Sequence, residues 1–131
     1  MKKLIIALVA FLFIFSCRGE DEIDTAFLLG NWNWISTTVG IGNINETPNS
    51  TGKTVVLTFT ADNKYSITTN GTVTSSGSFS LYKDITNTDH SEKTFISFSN
   101  DGTKILANYS DTNLELVDDN NDGLIYIYEK E

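Results

Sequence analysis

Val55-Val56-Leu57-Thr58-Phe59-Thr60-Ala61-Asp62-Asn63-Lys64-Tyr65-Ser66-Ile67-Thr68-Thr69, followed at once by Asn70-Gly71, is the stretch on which the fold turns. Val55, Leu57 and Phe59 share one parity, with Val56, Thr58 and Thr60 on the other. Tyr65, Ile67 and Thr69 resume the alternation after a polar turn, Ala61-Asp62-Asn63-Lys64. A period of two marks strands with one face buried. Asn70-Gly71 is a hairpin dipeptide, because both residues tolerate the positive φ that a tight turn needs.

The same grammar extends in both directions. Downstream come Val73, a break at Ser75-Ser76-Gly77, then Phe79 and Leu81 alternating with serines. Further strands are expected over Thr94–Ser99, Lys104–Tyr109, Leu114–Val117 and Leu124–Glu129, separated by turns at 100–102, 110–113 and 118–123. Upstream, Trp32, Trp34 and Ser36 share one parity, and Ile23–Leu29 reads as a short helix that Asp24 can cap and Gly30 stops. The polar segment Val39–Lys53 holds Gly40, Gly42, Pro48 and Gly52, and reads as a loop over one end of the molecule. Serine, threonine and aromatic residues are frequent, which is strand composition. About eight short strands joined mostly by tight turns pair consecutively, and closing such a sheet removes its edges. The expected fold is all-β, an antiparallel up-and-down β-barrel with a short N-terminal helix, spanning residues 23–131.

Gly30-Asn31-Trp32 after a short helix, followed by a meander of strands, resembles the Gly-x-Trp pattern of lipocalins. The stretch from Leu57 to Tyr65 is similar to a recurring hairpin of the small lipocalin-like domains on bacterial lipoproteins. The resemblance implies structural roles for Gly30 and Trp32, with Trp32 plugging the closed end and Lys130 packing across it.

At the N-terminus, Lys2 and Lys3 precede an apolar run from Leu4 to Phe15, the pattern of a secretory leader and too short for a spanning helix. Ile14-Phe15-Ser16-Cys17 resembles the lipobox of bacterial lipoproteins. That resemblance implies a signal peptide over 1–16, cleavage before Cys17, and attachment of diacylglycerol and an N-acyl chain such as palmitate to Cys17. Two chains anchor stably, at about 0.8 kcal/mol per buried methylene. Residues 17–22 then form an acidic tether. Glu20-Asp21-Glu22 resembles the surface-export signal of one group of Gram-negative lipoproteins; a plain solvated tether is the other reading. The expected location is the outer membrane, with membrane lipid as the partner of Cys17. Cys17 is the one cysteine, so no disulfide forms within a monomer and the domain has to be stable without one.

Removing Lys2 and Lys3 with the leader leaves seven basic against seventeen acidic residues, a net charge of −10. Such a surface repels phosphate backbones, so nucleic acid is not an expected partner.

Asp118-Asp119-Asn120-Asn121-Asp122-Gly123 with Glu129 satisfies the EF-hand loop expression for calcium. The flanking residues alternate as strands rather than helices, which places Glu129 roughly 20 Å from Asp122 at ~3.3 Å per residue. A polar hairpin turn is the preferred reading. A calcium site using only Asp118, Asn120 and Asp122 is the other. His90, the one histidine, lies in a polar stretch without a nucleophile motif beside it, and no catalytic constellation is legible.

Trp34, Tyr65 and Tyr109 are the candidate ligand-contacting aromatics, against packing in the wall as the plainer reading. The expected function is non-enzymatic: a monomeric, membrane-anchored barrel binding a small apolar or amphipathic molecule. The alternative is a filled-barrel scaffold or accessory subunit acting through loops or its outer face, which an interior packed with Phe, Leu and Ile would favour.

Overall fold

The computed structural model describes residues 23–39, 45–121 and 123–131. The leader, Cys17 and the acidic tether lie outside the described residues, as does Asp122. A single 3-10 turn, Ala26–Leu28, leads into β1 (Gly30–Val39). Next come β2 (Asn45–Glu46), the four-residue helix α1 (Pro48–Thr51), β3 (Val55–Phe59), β4 (Lys64–Thr69) and β5 (Thr72–Ile85). The chain finishes through β6 (Glu92–Phe98), β7 (Gly102–Tyr109), β8 (Asn113–Val117) and β9 (Leu124–Lys130).

Every pairing is antiparallel, and β9 returns to β1 from Trp32↔Lys130 to Val39↔Leu124, closing an eight-stranded barrel. The opposite edge of β1 is shared, with β3 taking Gly30–Asn33 and β2 taking Thr37 and Thr38. Residues directly opposite each other point to the same face. The row Trp32–Leu57–Ile67 therefore faces inward, as do Phe59–Tyr65 and Phe79–Phe98. The interior cluster comprises Leu28, Trp32, Leu57, Phe59, Tyr65, Phe79, Ile96, Phe98, Leu106, Leu114 and Leu116, all buried. Its rings meet edge to face, with Phe59–Phe79 centroids 4.7 Å apart and Tyr65–Phe98 centroids 4.8 Å apart. Each such side chain contributes about 1.5–3 kcal/mol on burial, which offsets the missing disulfide.

Several expectations needed correction. The N-terminal helix is one 3-10 turn, because Leu29 is extended and Gly30 takes φ +118°. Asp24 is not its N-cap: Thr25 holds that position without a side-chain cap, and Asp24 accepts from the Ala26 N–H at 2.9 Å in a local two-residue turn ahead of it. Ser75-Ser76-Gly77 is no break: β5 runs through it for 14 residues, with a bulge near Thr74. Gly77 is small for a packing reason, since a Cβ there would meet Ser99 Oγ at 2.2 Å and Tyr65 Cε1 at 3.2 Å. The Val39–Lys53 segment carries β2 and α1, the latter held by a reciprocal cap between Thr47 and Ser50. A bulge at Ile35 shifts the inward phase of β1, so Thr37 follows Trp32 and Trp34 inside while Ser36 faces out.

The far half of the β5–β6 hairpin leaves the barrel. β6 pairs with β7 only from Phe95 to Phe98, although it pairs with β5 up to Glu92. The backbone N–H groups of Asn87 and Thr88 donate to the Asp119 carboxylate, Asn87 at 2.8 Å, so the hairpin tip is tied to the β8–β9 loop. Tyr82, Phe95, Ile105, Val117 and Ile125 form a cross-strand row on the outer face. Phe95 and Ile105 are nevertheless buried, and Thr86 in the tip is 2% exposed. The tip thus folds back over the outside of the barrel. Asp89 within it accepts from the Thr86 and Ser91 hydroxyls, which hold its carboxyl down at about 2.

Candidate functional site: the open barrel mouth

The two ends of the barrel differ. At the end where β1 begins, Trp32 is fully buried and its Nε1 donates to the Leu28 carbonyl at 2.8 Å. The Lys130 ammonium lies 4.5 Å from the centroid of the Trp32 ring and donates to the Leu29 carbonyl. Gly30 lets that ammonium in, since a Cβ would sit 3.0 Å from Lys130 Cε. This end is sealed.

At the other end, where β1 finishes, the inward-facing residues Val39, Val55, Ile67, Thr69, Leu124 and Tyr126 are only half-buried. The deeper wall includes Trp34, 7% exposed, whose Nε1 donates to Thr37 Oγ1 at 2.8 Å. The mouth has two polar clusters. In one, Lys104 Nζ is 2.6 Å from Asp118 Oδ1 and 4.3 Å from the Tyr126 ring centroid. The Tyr126 hydroxyl donates to Asp118 Oδ2 at 3.3 Å. Burial raises the Tyr126 phenol, Lys104 opposes that rise and Asp118 adds to it. In the other cluster, Asp101 accepts from the Tyr65 hydroxyl and from Ser75 Oγ at 2.6 Å, while the Asn100 N–H donates to the Tyr65 oxygen at 3.2 Å. Burial and the Asp101 carboxylate both raise the Tyr65 phenol.

The three candidate aromatics are not brought together. Trp34 and Tyr65 lie in the wall with their polar atoms engaged by Thr37 and Asp101. Tyr109 stands at the sealed end, 53% exposed and stacked on Phe27 at 4.3 Å. Asp118 accepts from Lys104, Asn120 is exposed and Asp122 lies outside the described residues. Among the described residues, no cluster of three His, Cys, Asp or Glu has metal-binding geometry. His90 is exposed with φ +55°.

Sequence reading missed the Lys104–Asp118–Tyr126 cluster. Its members come from three consecutive strands and their ends, so the only available signal was an inward parity for a lysine. Two clefts lie at the sealed end. One, of about 670 Å³, runs between Asp24–Thr25, the β3–β4 turn and Phe79–Leu81. The other, of about 300 Å³, adjoins Tyr109. The first is broad and open to solvent; neither lies at the mouth, which brings an apolar inner wall and polar groups together. No protein-family model, curated protein or solved structure matches the chain.

Proposed function

We propose that this chain is a lipid-anchored, non-enzymatic, lipocalin-like barrel that binds one small apolar or amphipathic molecule at its open mouth. The observation that carries this reading is the asymmetry of the interior. One end is sealed by Leu28, Trp32 and Lys130, while Val39, Val55, Ile67 and Leu124 present half-buried apolar surface at the other. The packed rings of Phe59, Phe79 and Phe98 fill the middle of the barrel, so a ligand held at the mouth is short. Lys104, Tyr126 and Asp118 would meet its polar end. The anchor is Cys17. In this reading the anchor joins the barrel through Ile23, on the side opposite the mouth. Palmitate labelling of the protein in a Gram-negative host, lost in Cys17→Ser, tests the anchor. Failure of labelling would remove the anchor and leave the barrel reading standing.

The scaffold reading draws support from the same packed core. Against it, the outer apolar row is already covered in part by the protein's own hairpin tip, which leaves less of that face for a partner. Mass spectrometry of an organic extract of the purified protein separates the two: a carrier retains a small molecule and a scaffold does not.

A further inference from the structure

The sealed end holds a second cleft, chemically unlike the mouth. It is lined by Asn108, Tyr109, Ser110, Asn113, Leu114, Glu115 and Ile127, and measures about 300 Å³, at the small end of the range for ligand sites. A bulge between Leu106 and Asn108 changes the register, so that Asn108 sits opposite Glu115 and Glu115 opposite Ile127. Asn108 and Glu115 are thereby side by side on the outer face, with Ile127 as an apolar neighbour. Tyr109 forms the wall. Its ring is backed by Phe27 at 4.3 Å and an interplanar angle of 27°, and it keeps about half of its surface exposed, 53%. At the rim, Ser110 Oγ accepts from the Asn113 N–H at 3.1 Å, which fixes the turn.

We infer that this cleft is a binding site for a neutral saccharide. A braced aromatic ring offers a flat apolar face to the C–H side of a pyranose, and bracing by Phe27 removes ordering cost on binding. The Asn108 carboxamide supplies donors and an acceptor together, Asn113 adds its carboxamide oxygen while its Nδ2 donates to Thr112 Oγ1 at 2.9 Å, and the Glu115 carboxylate accepts from hydroxyls, which suits vicinal diols. The charge of Glu115 and the acidic surface disfavour anionic sugars and phosphates. A quaternary ammonium is the rival occupant for a ring beside a carboxylate. Such a ligand makes no use of amide donors and is held by several ring faces rather than one. The site is separate from the mouth and does not depend on the function proposed for it.

The test is two-dimensional NMR of the intact protein titrated in turn with maltose, cellobiose, N,N′-diacetylchitobiose and choline. Binding of at least one disaccharide is expected to shift the amides of residues 107–115 and Ile127, while Val39 and Leu124 stay in place. Tyr109→Ala should weaken that binding by about tenfold, the loss expected from one stacking contact, and Tyr109→Phe should retain it. Asn108→Ala, on the exposed face, should weaken binding without altering the fold. The proposal is overturned if no disaccharide shifts these residues, if choline shifts them and the sugars do not, or if Tyr109→Ala binds the sugar as tightly as the parent chain.

Discussion

The ammonium of Lys104 lies 2.6 Å from the Asp118 carboxylate and 4.3 Å from the centre of the Tyr126 ring, on the inner wall of a barrel mouth. Both partners are about one-fifth exposed, 21% and 23%, so the pair is partly shielded from water and still hydrated. The pair occupies an oxygen that a calcium ion on the 118–123 loop would need.

Breaking this pair from one side strands a half-buried charge. Lys104→Met and Asp118→Asn should each cost about 1–2 kcal/mol, between the values for exposed and buried pairs. The double variant should cost less than the sum of the two, as read by urea denaturation. The same variant decides the calcium question. A calcium site on this loop would make millimolar calcium raise the melting temperature of Lys104→Met more than that of the parent chain, with the gain lost in Asp122→Ala; the polar-turn reading predicts no shift. No shift in either protein would remove the metal from the account.

Gly30 is set by geometry on two counts. Its φ of +118° suits glycine alone, and Lys130 crosses the space a side chain would need. Gly30→Ala should therefore destabilise by about 1–3 kcal/mol and loosen the lid formed by Leu28, Trp32 and Lys130. Gly52 is the control, because its φ of +68° with open space around it accommodates asparagine. Thermal melts of Gly30→Ala and Gly52→Asn should separate clearly, with only the first shifting.

Alkaline pH should unfold this barrel early. Burial pushes the Tyr128 phenol far above its ordinary value, with Tyr126 adding to the rise, and the phenols of Tyr65 and Tyr126 are raised as well. The unfolded phenol ionises near about 10, and the folded one resists ionisation. The contribution is therefore complete below about pH 10 and is lost as pH rises above it. Urea midpoints should hold from neutrality to pH 10 and then fall, and Tyr128→Phe should fall less steeply.

The all-β class was legible because Leu57, Phe59, Tyr65 and Ile67 alternate with mostly polar neighbours and Asn70-Gly71 marks the turn after them, and closure followed from the cost of leaving sheet edges exposed. Bulges were not legible. Whether Ile35 or Ala107 is the extra residue depends on its partner across the ladder, which alternation within one strand does not encode. Gly77 looked like punctuation, but its reason is the approach of Ser99 and Tyr65 from elsewhere in the chain. Phe95 and Ile105 stand on the parity opposite to Ile96 and Leu106 and so face outward, yet they are buried, because the hairpin tip folds back over them. Tyr109 has an inward parity, but it ends its strand at the sealed rim, and parity does not say which end of a barrel is open. Of the mouth, Trp34 was legible as a wall aromatic and Lys104 was not.

The most direct test of the proposed function uses the two indole N–H signals of Trp32 and Trp34, one at each depth of the barrel. The intact protein would be titrated with octanoate, a short amphipathic probe, and followed by two-dimensional NMR. Binding at the mouth predicts saturable shifts of the Trp34 indole, of Val39, Val55, Ile67 and Leu124, and of the Tyr126 ring, while the Trp32 indole stays fixed. An unmoved Trp34 and mouth, or shifts confined to the outer face, would contradict it.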